Sequence, residues 1–505
     1  MLRIKQTYTH HFDTPVFKKD VTVHTGLFID NEFVDATDQT PIEVIDPATG
    51  KIITGVAGAT KPDVDKAVAS AQKAYDTTWG LKVPGVERAK LLHKLADLWE
   101  AHLDELAAIE AIDDGKQFLV AKSYELLNGL STLRYYAGFA DKIFGKTIET
   151  DPTKLVYTLH EPIGVVGAII PWNYPLMIMA WKLGPALATG NCVILKPSEI
   201  TPLGALKVAE LVREAGFPPG VVSVLPGLGA AAGQALIDHP AVRKISFTGS
   251  VATGRRVLAA SGATNLKRIT LELGGKGPNV VFDDADIEQA VKWTAMGIFT
   301  HAGQMCIAGS RIFVQEGIYD VFVQHLVAVA KSMQPGSGFE TDIMTKVDPV
   351  VSQSQLERIL GYIRSGQQEG ATVLAGGTQV GETGFFLQPT LFGDVRPEMK
   401  IVREEIFGPV GVVIKFRDEA ELVAMANASD YGLAACVHTR DLERATRMAR
   451  ALEAGSVYIN SMALPDCRVA FGGYKMSGIG KDLGEYALEG YTNVKAVHVN
   501  IGQKL

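Results

Sequence analysis

The chain has 505 residues, 47% of them hydrophobic and 21% charged, with a net charge of −7. That length predicts roughly two or three domains rather than one core, and the balance excludes bulk disorder. The acidic charge leaves no basic footprint for nucleic acid, no run approaches the roughly 18 apolar residues of a membrane span, and the four cysteines, at 192, 306, 436 and 467, have the spacing of neither a disulfide framework nor a zinc site.

The first twenty residues carry basic side chains without the apolar stretch of a secretory leader, and they are neither amphipathic nor arginine-rich as a mitochondrial leader would be. The first forty read as irregular and polar. Val64, Val68, Ala71 and Ala74 then fall at helical spacing, and Leu91, Leu95, Leu98 and Leu106 predict one helix over 87–110. After Asp151 the texture changes. Apolar strands over 164–170, 192–195, 221–225, 244–247 and 269–273 alternate with helices over 176–188, 203–215, 230–238 and 253–260. Continuous apolar strands separated by helices predict a doubly wound α/β domain, its parallel sheet covered on both faces. Such sheets bind nucleotides at the carboxyl ends of their strands. A second α/β set starts near Asn279, with helices over 287–299, 319–331 and 354–368 and strands over 310–315, 411–416 and 456–460. The alternation in Thr492–Asn500 predicts an edge strand open to association.

Residues that can do chemistry stand where these strands end. Asn173 lies between Pro171 and Pro175, whose fixed φ angles aim its amide, and a rigid amide suits donation to an oxyanion. A plain turn asparagine is the alternative. Lys196 and Glu199 suit the hydroxyls of an adenosine ribose, where a carboxylate repels a 2′-phosphate and favours NAD over NADP. Equally, they read as a charged loop with Ser198 capping the next helix. Gly229, in Gly227-Leu228-Gly229, partly mimics a dinucleotide fingerprint. Gly249 and Ser250 open a helix, so N–H groups and a hydroxyl can meet a phosphate, although an ordinary cap needs only Ser250. Glu272 sits among apolar residues and glycines in Leu271-Glu272-Leu273-Gly274-Gly275-Lys276 and suits a general base. Cys306 follows 34 residues later, in Gly303-Gln304-Met305-Cys306, and suits a nucleophile in reach of positive or dipolar groups. A lone cysteine is otherwise a small buried hydrophobe. Glu405 and Phe407, in Glu404-Glu405-Ile406-Phe407-Gly408-Pro409, combine acid, aromatic and turn, or simply lead into a strand.

Together these strings resemble the aldehyde dehydrogenase superfamily from about residue 28 to residue 499, in the family's order and near its spacing. They are most similar to its NAD-dependent branch for aliphatic and retinal-like aldehydes. The resemblance implies an NAD-binding domain over 1–144 and 161–273, a catalytic α/β domain over 274–477, and a small β oligomerisation element over 145–160 and 478–505. It implies a homotetramer, a dimer of dimers, acting on a small-molecule aldehyde, while the composition and the sparse cysteines predict a cytoplasmic protein with no nucleic acid, membrane or metal partner. By position, Cys306 matches the nucleophile, Glu272 the general base, and Asn173 the oxyanion donor acting with the Cys306 N–H. Lys196 and Glu199 match the adenosine-ribose ligands. Gly249 and Ser250 match the diphosphate contacts, with Gly229 and Trp172 beside them, and Glu405 and Phe407 match the nicotinamide-ribose contacts. Tyr174, Trp181 and Phe471 match the substrate tunnel, and Lys182 and Asp482 a proton path. Two departures stand out. Asp482 is one methylene shorter than the family's glutamate, so that a direct hand-off of the proton needs a water. Pro465, in Met462-Ala463-Leu464-Pro465, stands where an aromatic is common. The expected reaction is oxidation of an aldehyde to its acid through a thiohemiacetal and thioester on Cys306, hydrolysed by water that Glu272 activates. Transfer of the acyl group to coenzyme A would need no such base, and a non-catalytic protein of this fold need not keep all three residues.

Overall fold

Runs of β-branched and apolar residues become the buried parallel strands of two sheets in the computed structural model, which describes residues 6–342, 345–462 and 465–504. In the first sheet Arg268–Glu272, Lys244–Thr248, Val165–Ile169, Cys192–Lys196 and Val222–Val224 lie side by side and parallel, in that order. Gly478–Ile479 pairs antiparallel along one edge, and Leu27–Ile29 followed by Glu32–Val34 close the other. Every residue of Cys192–Lys196 is buried, as expected of a strand covered on both faces. The winding starts at Val165–Ile169, moves outward through Cys192–Lys196 and Val222–Val224, then places Lys244–Thr248 on the opposite side. A doubly wound sheet results, with its topological switch between Val165–Ile169 and Lys244–Thr248. There the carboxyl ends of the strands diverge and leave a crevice.

The second sheet orders Thr372–Ala375, Thr390–Gly393, Val410–Phe416, Arg311–Gln315, Pro278–Val281, Ala434–His438 and Ser456–Ile459. All neighbours are parallel except the edge strand Thr372–Ala375. A third, three-stranded sheet pairs Thr492–Asn500 antiparallel with Lys154–Pro162 along the full nine residues, with Thr147–Ile148 beyond. The carboxyl-terminal strand is therefore an edge strand, as its alternation predicts. No helix among the described residues is long and apolar enough to cross a membrane.

Two expectations need correction. The first forty residues are not irregular: Thr7–Asp13 and Lys18–His24 form an antiparallel hairpin. Phe12, Val21 and Val23 are its buried face, a period of two that polar neighbours disguise. The helix over 87–110 is two helices, Gly85–Ala101 and Leu103–Asp113, separated at His102, where φ −104° and ψ 16° interrupt the first.

Candidate active site

Three strand ends of the first sheet, those of Val165–Ile169, Lys244–Thr248 and Arg268–Glu272, meet loops of the second. Val165–Ile169 runs into Pro171, Trp172 and Asn173, and Pro175 then starts the wholly buried helix Pro175–Ala188, a position where the missing N–H of proline is harmless. The Asn173 amide Nδ2 donates to the Gln304 carbonyl at 2.7 Å. One of its two hydrogens is thereby committed, which orients the group and leaves the other to donate elsewhere.

Cys306 lies in the loop between the helix Ile287–Phe299 and the strand Arg311–Gln315. The approach to it is strained. His301 and Ala302 hold φ at 49° and 52°, left-handed values that side chains with a Cβ seldom adopt and that cluster at functional sites. Gly303 follows with φ 67°, and a Cβ there would stand 2.2 Å from the Gly408 carbonyl oxygen. Buried Gln304 fastens the bend: Nε2 donates to His301 O at 3.0 Å and Pro349 O at 3.3 Å, while Oε1 accepts from Val351 N at 2.9 Å. The segment after Glu272 presses against this loop, since a Cβ on Gly275 would meet the Cys306 carbonyl oxygen at 2.2 Å. Cys306, Glu272 and Asn173 consequently line one cavity of about 180 Å³.

The electrostatics of this cavity are unusual. Glu272 is 2% exposed and neither carboxylate oxygen has a hydrogen-bond partner. Burial first, then the Asp482 carboxylate, raise its pKa well above the usual carboxylate range, against Lys182 and Lys481. Cys306 is a free, half-buried thiol. Burial, then the carboxylates of Glu405 and Glu272, push its pKa up to about 12, while the N–H groups of Cys306 and Ile307 pull the other way. Of the positive or dipolar groups expected around the sulfur, the dipolar ones are represented by these two N–H groups.

The other predicted residues fall into three places. Trp172, Gly249, Ser250, Glu405 and Phe407 line the same cavity as the thiol. Gly249 N donates to Glu272 O at 3.0 Å, so the helix Val251–Ala263, capped by Ser250 Oγ at Thr253 N, starts beside the acid. Thr248 Oγ1, buried on that wall, has no protein partner. Glu405 accepts from Gly275 N at 2.8 Å, burial lifts its pKa to about 7, and Phe407 meets Trp172 edge-on at 5.2 Å. Lys196, Glu199 and Gly229 form a second group, outside that lining. Lys196 Nζ is 3.1 Å from Glu199 Oε2, and Gly229 N donates to Glu199 Oε1 at 3.5 Å. Burial works against the Glu199 charge, but Lys196 together with the N–H groups of Glu199 and Gly229 outweighs it and holds the carboxyl below the usual range. The third group is the fully buried ion pair of Lys182 and Asp482. No hydrogen bond joins that pair to Glu272.

Tyr174, Trp181 and Phe471 form the apolar wall, Trp181 and Phe471 meeting at 5.0 Å. Pro465 is part of this wall, whereas Ala463 and Leu464 lie outside the described residues. Asn128 was not anticipated. It accepts from Trp181 Nε1 at 2.9 Å and donates to Pro465 O at 2.8 Å, tying the helix to the loop across the mouth. Tyr124, also unanticipated, faces the cavity from the same helical stretch. A polar residue in a helical run carries no sign of this in sequence. Among the described residues, Glu110, Asp114 and Glu125 stand close enough to hold a cation. That place is taken by the Lys116 ammonium, which bonds Asp114 at 2.9 Å and contacts Glu125.

A model of the aldehyde dehydrogenase family matches residues 33–497. An aldehyde dehydrogenase of Agaricus bisporus is 56% identical over 498 residues, 99% of each chain. The mitochondrial aldehyde dehydrogenase of Rattus norvegicus is 50% identical over 480 residues, 95% of this chain and 92% of its own. The solved NAD+ complex of an aldehyde dehydrogenase from Bacillus cereus is similar with a TM-score of 0.93 and 46% identity, covering 95% of this chain and 97% of that one.

Proposed function

The chain belongs to the aldehyde dehydrogenase family and is an NAD-dependent oxidoreductase of aldehydes, and from that premise we propose that it makes and hydrolyses a thioester on Cys306. One shared cavity supports this: the thiol, the unpartnered Glu272 carboxylate and the Asn173 amide all face it. The Cys306 thiolate, its proton given up to solvent, bonds to the aldehyde carbon as the carbonyl electron pair moves onto oxygen. The free Asn173 N–H and the Cys306 N–H stabilise that oxyanion, a contribution of about 10²–10³ in rate for one donor. Bound NAD supplies the hydride acceptor. Glu272 then takes a proton from water, whose oxygen attacks the thioester carbon. The C–S bond breaks, the acid leaves, and the sulfur is free again. Because Glu272 accepts protons, it has to be emptied, and the Lys182–Asp482 pair is the proposed outlet, reached through water because no direct hydrogen bond joins them.

The residues present fit the cofactor. A buried hydroxyl without a partner, Thr248 Oγ1, faces the cavity, and the helix Val251–Ala263 starts there with N–H groups suited to an anion. Gly229, Gly249 and Ser250 would hold the diphosphate with Trp172 at its flank. Lys196 and Glu199 would hold the adenosine ribose, Glu405 and Phe407 the nicotinamide ribose. A cytoplasmic homotetramer completes the proposal, supported by Ile148, Leu155, Leu159 and Val494, exposed apolar side chains of the three-stranded sheet that call for a covering surface. Sedimentation equilibrium is expected to give four times the chain mass, and a monomer would contradict it.

Asn173→Ala tests the oxyanion role. Its kcat is expected to fall about 10²–10³-fold, with NAD affinity unchanged. Turnover at the unaltered rate would remove Asn173 from the mechanism. The function itself is tested by NADH formation with simple aldehydes, together with recovery of the carboxylic acid.

A further inference from the structure

A second cavity, of about 290 Å³, lies against the candidate active site. Tyr124, Tyr174 and Met305 line both spaces and form their common wall. The sides of the second chamber are apolar, built by Val120, Met296, Val329 and Met333. Polar groups on its lining are left unsatisfied by the protein: Gln117 Oε1, Tyr174 Oη and Asp348 Oδ1 are buried without a hydrogen-bond partner. Their residues are only 5%, 6% and 2% exposed. Buried polar atoms are nearly always bonded, so these three orphans, together with the two unbonded ring nitrogens of His301 on the same lining, mark a seat for a polar group that the chain does not supply.

The kind of group follows from what surrounds it. Gln117 Nε2 donates to Lys346 O at 3.4 Å, which leaves the accepting oxygen as its free end. Asp348 offers a second acceptor, with His301 Nδ1 3.5 Å from its other oxygen. Tyr174 can donate or accept. Two acceptors and a hydroxyl match a ligand group carrying a donor hydrogen. A cation gains little, because burial lifts the Asp348 pKa to about 7 and its negative charge is only partly present near neutral pH. The lysines at the chamber, Lys292 and Lys346, are already paired with Glu288 at 2.6 Å and Glu340 at 3.0 Å, and so add little pull on an anion. Met305, next to Cys306 in the chain, is an unbranched side chain that moves aside more readily than an aromatic ring.

We propose that this chamber is the distal arm of the substrate site: an aldehyde held at Cys306 passes its chain beside Met305 and sets a terminal hydroxyl or N–H against Gln117, Tyr174 and Asp348. The inference rests on the function proposed above and narrows its substrate to aldehydes of medium length with a neutral donor at the far end. The test compares kcat/KM, for the full chain with NAD, between an ω-hydroxy aldehyde and the alkyl aldehyde of equal length, with acetaldehyde as reference. A site built to bond a hydroxyl rejects the analogue lacking it, so the unaltered protein is expected to prefer the hydroxy substrate about tenfold or more, mainly through KM. Val329→Trp, which fills the chamber from its far wall, and Asp348→Leu, which removes an acceptor, should each bring the preference close to unity. Absence of a preference in the unaltered protein, or a preference that survives both substitutions, overturns the chamber's role. Failure to oxidise even acetaldehyde would instead contradict the parent function, so the two failures are distinct.

Discussion

Cys306→Ala is expected to lose aldehyde oxidation by about 10⁴-fold or more, as removal of a covalent nucleophile does in other enzymes, while still binding NAD. Alanine is the informative choice, because a serine hydroxyl in the same place would still be able to attack a carbonyl. The two readouts separate chemistry from folding. The thiol lies in a strained loop held by Gln304, and NAD affinity reports whether the cavity walls survive. Cofactor binding without turnover assigns the chemistry to the sulfur. Residual turnover near the original rate would mean that the aldehyde is oxidised without a covalent bond to the enzyme.

Glu272→Gln should give the second-largest effect, and a different one. The amide keeps the shape of the side chain but cannot take a proton from water. Acylation of Cys306 then proceeds once, and the expected trace is a burst of one NADH per active site followed by a rate about 10²–10⁴-fold lower. Burial, with Asp482 nearby, raises the Glu272 pKa, so in the unaltered protein this carboxyl holds its proton to a higher pH than an ordinary glutamate. The hydrolytic step should accordingly slow as pH falls through that raised value and quicken above it. In Glu272→Gln that acid limb should disappear. Steady turnover at full rate with an unchanged pH profile would identify another base.

Much of this site was readable from local sequence because strand ends mark themselves. Val165–Ile169, Cys192–Lys196, Lys244–Thr248 and Arg268–Glu272 are short apolar runs that stop at proline, lysine, glycine or acid, and a doubly wound sheet gathers such stops on one side. The remainder depends on contacts that no spacing encodes. Ala434–His438 is an interior strand of the second sheet, next to its edge, yet it follows a short helix and a turn without a clear boundary. Asn128 joins Trp181 to Pro465, which lies 337 residues beyond it in sequence, and an asparagine on a helix gives no notice of that. The left-handed turn at His301 and Ala302 uses residues that do not advertise positive φ as glycine does. The charge state of the sulfur was likewise hidden: the sequence shows neither Glu405 nor Glu272 close to it, and both raise its pKa.

The covalent bond proposed between Cys306 and the substrate is open to direct observation. Glu272→Gln, mixed with NAD and acetaldehyde and quenched after its burst, should gain the mass of one acetyl group per chain, and proteolysis should map that mass to the peptide carrying Cys306. NADH released in the burst with Cys306 left unmodified would contradict the thioester account.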